Sequence, residues 1–504
     1  MGIPSYFHFL LKNHRNIIKE KKYIQCDYLF VDANSLIYDC IHELKQVDAY
    51  ETVYHMVHEK MLSLQSTVNP QFKTYFCFDG VPPYAKMVQQ RQRRFKSMLT
   101  KQILQQESQS WNTNHITPGT DFMNGLDAYL IDKFKKEKTI WFSGSQEPME
   151  GEHKICHILR KQTHRFKDKN IMIYGLDADL IMLGLLLQAE NDFNIQIFLY
   201  KETKHFQYIS QVDETKQYYF QLNVLACEIT NLFEHNNPCQ ITYDYIFLCF
   251  ICGNDFLPHI PAIQIRNDGI HELIEQYKKL QLPLIDIQSK MIQWKHFSTF
   301  LHNLRDKEDD LILENIEWKL QRKRQVRTTT MEDKLNFLPC MDLEKELYIK
   351  SHLNQYNEYI LETNDVKEHC LDYLRTLEWT WYYYNGENVN DRIAYEHHYG
   401  PRIQDILKYM PLFNGDSIVQ KETHSVIDSI AQLYFVLPYP NHKEIIPRDI
   451  YEKTHEMIYK YIPMVKETNY PFCYFLCKYF WESHLQMSKL RIDQLNQCVQ
   501  NAKI

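Results

Sequence analysis

Short apolar runs that stop at an acidic residue recur in the first half of the chain. They read CDYLFVDANSLIY at 26–38, KTYFCFDGVPP at 73–83 and IMIYGLDADL at 171–180. Each run has the length of a buried strand, and the polar residues that follow it mark a turn into a helix. Strands that alternate with helical segments in this way are typical of an α/β domain with a mostly parallel sheet.

The rest of the chain has a mainly helical pattern. A fourth apolar run, YDYIFLCFICGNDFLPH at 243–259, is long enough for a helix that ends before a Gly-Asn-Asp turn. Residues 271–370 are charged and largely helical in pattern, and 320–334 have the composition of an exposed loop or linker. From residue 371 onward the chain is rich in aromatic residues, which predicts a mainly helical second lobe.

Composition narrows the class of protein. With 504 residues, 44% of them hydrophobic, the chain can build two or three domains with proper cores, and no apolar stretch is long enough to span a membrane. The 13 cysteines are scattered, and the CxxC pair Cys249 and Cys252 lacks the second ligand pair of a zinc site, so we expect buried thiols in a reducing compartment. The expected location is the cytoplasm, with the nucleus as the alternative.

Seven acidic residues at the predicted strand ends and turns are the candidates for chemistry. In an open parallel sheet the carboxyl ends of the strands line one crevice, so these acids would point into it. Carboxylates gathered there repel one another unless cations are bound, and oxygen ligands select hard ions such as Mg²⁺ or Mn²⁺. Two such ions about 3.5–4 Å apart would support phosphodiester cleavage. The acids are Asp32, Asp79, Glu150, Glu152, Asp177, Asp179 and Asp255.

The alternative for any one of these acids is structural. A lone aspartate at a strand end is more often a helix cap or a turn former than a metal ligand. The repetition of the pattern over several strand ends is what favours a metal site.

A basic helix is predicted directly after Asp79. No acid occurs from residue 80 to 106, and four polar or basic residues fall on one helical face at i, i+4, i+7 and i+8. Guanidinium forks and a lysine charge suit a terminal phosphate, whereas a solvated basic surface is the alternative. The net charge of −7 disfavours non-specific binding of nucleic acid but allows such a local site. The four residues are Lys86, Gln90, Arg93 and Arg94.

These motifs resemble the Xrn family of 5′→3′ exoribonucleases in a compact form without its long carboxyl-terminal extensions. The similarity covers most of the chain, but residues 271–370 match poorly. Eight stretches carry it: MGIPSYFHFL, LFVDANSLIYDC, FDGVPPYAKMVQQRQRRF, SGSQEPMEGEHKI, YGLDADLIML, GNDFLPHIP and, in the family's second conserved region, LEWTWYYYNG and HHYGPRIQDI. The compact form would suit a virus or a reduced eukaryote.

The resemblance implies an α/β fold of the PIN/flap-nuclease type, with a mostly parallel sheet flanked by helices and a mainly helical second lobe. The seven acids would be catalytic and would bind two Mg²⁺ ions, for which Mn²⁺ could substitute. The four residues of the basic face would bind the 5′-monophosphate of the RNA, and Tyr38 would take the place of a histidine that stacks on the 5′ base. A second departure is Met149, which replaces a glycine in the loop of the paired glutamates.

The implied reaction is processive 5′→3′ hydrolysis of single-stranded RNA to nucleoside 5′-monophosphates, in mRNA decay. The expected segments are a nuclease core with the two-metal site at 1–270, a helical and charged connecting region at 271–370, and the mainly helical second conserved region at 371–504. The sequence does not indicate which proteins, if any, recruit the enzyme, and it predicts no membrane association.

Two other functions remain open. A structure-specific 5′ DNA nuclease of the flap type would share the acids and metals, but GNDFLPHIPAIQIRNDGI lacks the Gly-x-Gly hairpin that grips a duplex in those enzymes. An inactive scaffold that binds RNA ends or a protein partner would not need the full set of acids.

Overall fold

The computed structural model describes most of the chain. The described residues are 3, 5–14, 16–20, 24–44, 49–105, 111–175, 177–201, 217–233, 237–387, 390–412, 417–420 and 424–503. Three positions of the MGIPSYFHFL motif, residues 1, 2 and 4, lie outside them, as does Leu176 of YGLDADLIML.

Seven strands of the described chain form one sheet. They are β1 (Ile18–Glu20), β2 (Tyr28–Asp32), β3 (Lys73–Cys77), β4 (Ile140–Ser143), β5 (Asn170–Tyr174), β6 (Gln196–Tyr200) and β7 (Tyr218–Gln221). Their order is β1-β7-β6-β5-β2-β3-β4. The five strands from β6 to β4 pair in parallel, whereas β7 and β1 are added antiparallel at one edge. The predicted mostly parallel sheet is confirmed.

Both faces of the sheet are buried, which explains why its central strands are apolar throughout. Successive side chains of a strand point to opposite faces. Accordingly, Phe30 and Ile173 belong to one hydrophobic cluster, whereas Val31 and Met172 belong to another on the other face. In the described residues up to Phe250, ten α-helices surround or precede the strands: α1 (Tyr6–Asn13), α2 (Asn34–Glu43), α3 (Tyr50–Val68), α4 (Tyr84–Ile103), α5 (Asp121–Phe134), α6 (Gly151–Lys161), α7 (Thr163–Phe166), α8 (Ala178–Glu190), α9 (Leu222–Asn231) and α10 (Pro238–Phe250).

The remainder of the described chain is mainly helical, as predicted. Its helices are α11 (Gly269–Leu280), α12 (Trp294–Arg305), α13 (Glu308–Gln325), α14 (Met331–Asn336), α15 (Leu338–Met341), α16 (Glu344–Ser351), α17 (Tyr356–Tyr359), α18 (Val366–Tyr384), α19 (Ile403–Tyr409), α20 (Ser429–Val436), α21 (His442–Ile445), α22 (Arg448–Tyr461) and α23 (Ile492–Lys503). Strands β8 (Phe472–Cys473) and β9 (His484–Leu485) form a small antiparallel pair.

The prediction of a loop over the whole of 320–334 is wrong. Helix α13 continues to Gln325, and α14 starts at Met331 behind a capping box in which the side chains of Thr330 and Asp333 bond to each other's backbone N–H. Only residues 326–330 lie between the two helices. The basic residues of the last turn of α13 favour the helix, because cations stabilise the negative end of the helix dipole.

The largest hydrophobic cluster crosses the predicted segment boundaries. It contains Leu187 of α8, Trp294 of α12 and Trp381 of α18, so the three segments remain a prediction. The same cluster buries Cys249 and Cys252. None of the helices in the described ranges combines the length and apolarity of a membrane span.

Candidate functional site

The predicted acids follow neighbouring parallel strands. Asp32 ends β2, Asp79 comes two residues after β3, and the loop after β4 leads to Glu150, the residue before α6. Asp177 directly precedes α8 in the connection after β5, and Asp179 lies in the first turn of that helix. Because β4, β3, β2 and β5 are adjacent, these carboxyl ends share one edge of the sheet. We call the seven predicted acids the acid cluster.

Asp32 and Asp79 meet at the start of α6. The backbone N–H of Gly151 donates to Asp79 Oδ1 over 2.7 Å, and Asn34 Nδ2 donates to Asp79 Oδ2 over 2.7 Å. A Cβ at position 151 would lie 2.6 Å from Asp32 Oδ1, so only glycine allows this approach. Asp32 Oδ1 is buried and accepts no hydrogen bond from any residue that the structure describes. A buried carboxylate oxygen without a donor is suited to bind a cation.

Lys86 joins two further acids to the cluster. Its Nζ lies 2.7 Å from Glu150 Oε1 and 3.0 Å from Asp255 Oδ2, and all three side chains are nearly buried. Lys86 is one of the four residues predicted to bind the 5′-phosphate, and that role stays a prediction; in this structure its ammonium group pairs with two acids. Asp255 follows α10 in the predicted turn, where Gly253 adopts a φ of +86°.

Two glutamates and a histidine form a compact donor set. One ligand atom each of Glu150, Glu152 and His153 lies within 4.8 Å of the others, a spacing at which they could hold a metal ion. His153 was not predicted. Burial lowers its pKa to about 3, so the ring is neutral, and an imidazole nitrogen of a neutral ring can bind a metal.

Most buried acids of the cluster have raised pKa values. Burial, followed by the charge of Asp79, raises the pKa of Asp32 well above its ordinary value. Burial and the charge of Asp179 raise the pKa of Glu152 well above its ordinary value. Burial and the charge of Asp255 raise the pKa of Asp179 to about 6. Negative charge is therefore costly here in the absence of a cation.

Lys86 has the opposite effect on its two partners. Burial alone would raise the pKa of Glu150, but Lys86 holds it below its ordinary value, and it does the same for Asp255. Asp177 is exposed at the entrance to α8, and its charge contributes to the raised pKa of Asp32. The cluster thus favours added positive charge.

Two tyrosines of the second lobe also reach the acids. The hydroxyl of Tyr383 donates to Glu150 Oε2 over 2.8 Å, and the hydroxyl of Tyr384 donates to Asp179 Oδ1. The sequence analysis missed both residues. The available signal was the run of three tyrosines in LEWTWYYYNG, which was interpreted only as part of an aromatic lobe.

The basic face of α4 lies beside the acid cluster. Arg94 Nη1 and Gln90 Oε1 are buried without a hydrogen-bond partner among the described residues, and Arg93 is exposed. Burial lowers the pKa of Arg94 to about 10, and Tyr38 of α2 partly offsets that shift electrostatically. The structure therefore brings Tyr38 close to this face. The guanidinium nitrogen of Arg94 can donate to an acceptor oxygen of an anion, whereas Gln90 Oε1 is itself an acceptor.

Two contacts hold α4 and the turn before it against other parts of the fold. A Cβ at Gly80 would lie 1.7 Å from the carbonyl oxygen of Glu147, so the turn after Asp79 packs directly on the loop before α6. Arg91, on another face of α4, donates to the carbonyl of Ser488 over 2.8 Å and anchors the helix to the second lobe.

Comparisons with known proteins agree with these motifs. The family model described as "XRN 5'-3' exonuclease N-terminus" matches residues 1–197, and the one described as "Xrn1 helical domain" matches residues 237–342, together more than half of the chain.

Three curated relatives are similar over parts of their length. The 5'-3' exoribonuclease 1 of Saccharomyces cerevisiae is 28% identical over 441 residues, which cover 72% of this chain and 29% of that protein. The 5'-3' exoribonuclease 1 of Homo sapiens is 31% identical over 323 residues, which cover 55% of this chain and 18% of that protein. The 5'-3' exoribonuclease 2 of Schizosaccharomyces pombe is 32% identical over 314 residues, which cover 51% of this chain and 32% of that protein. The matched part of this chain spans less than a third of the length of each of these relatives. Among solved structures, the catalytic core of Rad2 in complex with DNA substrate aligns with 83% of this chain and 96% of its own, at a TM-score of 0.37 and 13% identity.

Proposed function

We propose, since this chain belongs to the Xrn family, that it is a metal-dependent 5′→3′ exoribonuclease. Its substrate would be single-stranded RNA with a 5′-monophosphate, and its products nucleoside 5′-monophosphates, released processively. A role in mRNA decay in the cytoplasm follows from the resemblance and is part of the proposal. The observation that carries the proposal is the contact of the basic face of α4 with the acid cluster through Lys86.

The donor set of the cluster fits hard divalent cations. Its carboxylates supply oxygen ligands, and no described residue donates to the buried Asp32 Oδ1. Burial, together with the charge of Asp255, raises the pKa of Asp179 to about 6. The acids Asp32, Asp79, Glu150, Glu152, Asp177, Asp179 and Asp255 would hold two Mg²⁺ ions, with Mn²⁺ as a substitute. Bound there, the ions would supply Lewis-acid polarisation of the phosphodiester and an activated water.

The basic face would determine which end of the RNA enters. Arg93 and Arg94 offer guanidinium donors, and a terminal monophosphate carries an additional negative charge and more acceptor oxygens than an internal phosphate. Gln90 would add a neutral polar contact. A terminal phosphate held there would leave the first phosphodiester next to the acids, so one nucleotide would be removed at each step.

Tyr38 would align the first base. Its ring is partly buried on α2, and the electrostatic effect on Arg94 indicates that it lies near the basic face. Stacking on an aromatic ring contributes about 1–3 kcal/mol per base and tolerates any base, as an enzyme that degrades RNA of every sequence requires.

The test compares matched oligonucleotides that differ only at the 5′ end. RNA with a 5′-monophosphate should be degraded to nucleoside 5′-monophosphates in Mg²⁺, whereas 5′-hydroxyl RNA should be degraded far more slowly and EDTA should stop both reactions. The variant Asp177→Ala should bind RNA but not hydrolyse it. Preferential cutting of a 5′ DNA flap would favour the flap-type nuclease. Binding of RNA ends without hydrolysis by the unaltered protein would favour the scaffold.

A further inference from the structure

The carboxyl-terminal end of α18 reaches the acid cluster from the second lobe. Tyr384 is buried and Tyr383 is partly buried, and their hydroxyls donate to Asp179 Oδ1 and Glu150 Oε2. These two carboxylates come from different connections of the sheet, one at the start of α6 and one at the start of α8. Two adjacent residues of α18 therefore donate hydrogen bonds to two acids that lie at the starts of different helices.

Aromatic packing fixes both tyrosine rings. The ring of Tyr383 lies 3.9 Å from that of His153 and stacks on Trp379 at 5.0 Å between ring centroids. The ring of Tyr384 packs edge-on against Phe250 at 4.8 Å. Because the rings have little freedom, the direction of each hydroxyl is set before any ligand arrives.

The end of α18 is also tied to the two helices that start at the acids. Arg160 of α6 donates to the carbonyl of Tyr384 over 2.8 Å and pairs with Glu190 of α8 over 2.8 Å. Lys290 pairs with the same glutamate over 2.7 Å, and its carbonyl accepts from Trp381 Nε1 over 2.7 Å. The positions of α6, α8 and α18 are therefore linked by hydrogen bonds and ion pairs.

We propose that Tyr383 and Tyr384 are positioning residues that orient Glu150 and Asp179 for divalent cations. The inference rests on the proposed function. A hydroxyl that donates to one oxygen of a carboxylate restricts rotation of the group. Glu150 is held on both oxygens, by Tyr383 at Oε2 and by Lys86 at Oε1, whereas Tyr384 donates to Oδ1 of Asp179 and leaves Oδ2 directed by that contact. Unlike Lys86, a tyrosine hydroxyl is neutral, so it orients the carboxylate without supplying the positive charge that a cation would bring.

The expected size of the effect follows from metal sites in general. Hydrogen bonds to the groups that ligate a metal typically contribute 10–100-fold to metal affinity or activity. Removing the hydroxyls while keeping the rings should therefore weaken metal binding by about that factor and leave the fold intact.

The experiment uses Tyr383→Phe, Tyr384→Phe and the double variant, with Tyr382→Phe as the matched control. The hydroxyl of Tyr382 faces Glu378, at 3.4 Å, and not the acid cluster. Binding of MnCl₂ without RNA is followed by isothermal titration and by the electron paramagnetic resonance signal of free Mn²⁺. The two single variants should lose about 10-fold in Mn²⁺ affinity and the double variant more, whereas the control should bind as the unaltered protein does. With saturating Mg²⁺, the KM for RNA should not change.

Circular dichroism and the thermal midpoint without metal separate positioning from folding. If Tyr384→Phe is unfolded, Tyr383→Phe, whose ring is only partly buried, carries the test. Unchanged Mn²⁺ affinity in a folded double variant would overturn the inference, and so would an equal loss in Tyr382→Phe. If the unaltered protein binds Mn²⁺ but degrades no RNA, the proposed function fails, while the binding data still decide the role of the tyrosines.

Discussion

Lys86 Nζ lies 2.7 Å from Glu150 Oε1, and this ion pair joins the basic helix α4 to the acid cluster. The side chains are 13% and 8% exposed, so solvent screens the pair only weakly. The ammonium group also contacts Asp255 and thus provides the positive charge that these carboxylates require when no metal is bound.

We expect Lys86→Met to destabilise the metal-free protein. Leaving a buried charge without its partner costs about 3–5 kcal/mol, so the free energy of unfolding measured in EDTA should fall by about that amount. Mg²⁺ should recover a large part of the loss, because it supplies the missing positive charge. Denaturant unfolding in EDTA and in Mg²⁺ measures both values. Lys101→Met, an exposed position on the same helix, is the control, and an equal loss in both buffers would contradict the interpretation.

The variant Arg93→Ala should lose selectivity for the 5′ end. A hydrogen bond to a charged group contributes about 1.5–3 kcal/mol, so the ratio of kcat/KM for 5′-monophosphate over 5′-hydroxyl RNA should fall about 10–100-fold. Arg93 is exposed, so its loss should leave the stability of the fold unchanged. Lys101→Ala is the matched cation on α4. A ratio that does not change would place the phosphate elsewhere.

Two substitutions of Tyr38 distinguish the contribution of its ring to RNA binding from that of its hydroxyl. Tyr38→Ala should raise the KM for RNA about 10-fold, since stacking on one base is worth about 1–3 kcal/mol, whereas Tyr38→Phe should retain a KM close to the original. Steady-state kinetics on RNA with different first bases would measure this. If the phenylalanine variant is as weak as the alanine variant, the hydroxyl rather than the ring makes the contact.

Gly151→Ala should impair metal binding without removing a ligand. The new Cβ would lie 2.6 Å from Asp32 Oδ1 and 2.7 Å from the carbonyl oxygen of Cys77, so Asp32 or the end of β3 must move. Displaced ligands should weaken Mn²⁺ binding by at least about 10-fold. In the control Gly184→Ala, the Cβ meets the side chains of Leu222 and Ile197 rather than an acid, and only stability should fall. Equal Mn²⁺ affinity in both variants would refute the steric argument.

The sheet and most of the acid cluster were predictable, because local pattern determines them. Apolar runs that end at Asp32 and near Asp79 and Asp177 mark the strand ends, and in a parallel sheet such ends gather at one edge. The error at 320–334 had a local cause as well, since charged residues were interpreted as a loop although they suit the end of a helix.

The contacts of Tyr383, Tyr384 and Lys86 could not be predicted in the same way. Each joins segments far apart along the chain, and its partner depends on how whole helices pack. A helical face shows which side chains of α4 lie together, but it does not show that Lys86 turns toward carboxylates. His153 was missed for a related reason, because burial rather than spacing keeps its ring neutral among the acids.

The hydroxyls of α18 come much later in the chain than the acids that they contact. During synthesis, the strands and helices that carry the acids leave the ribosome first, and α18 can dock only after its whole length has emerged. The acid cluster therefore receives these two hydrogen bonds only after the second lobe has been synthesised and has packed against the sheet.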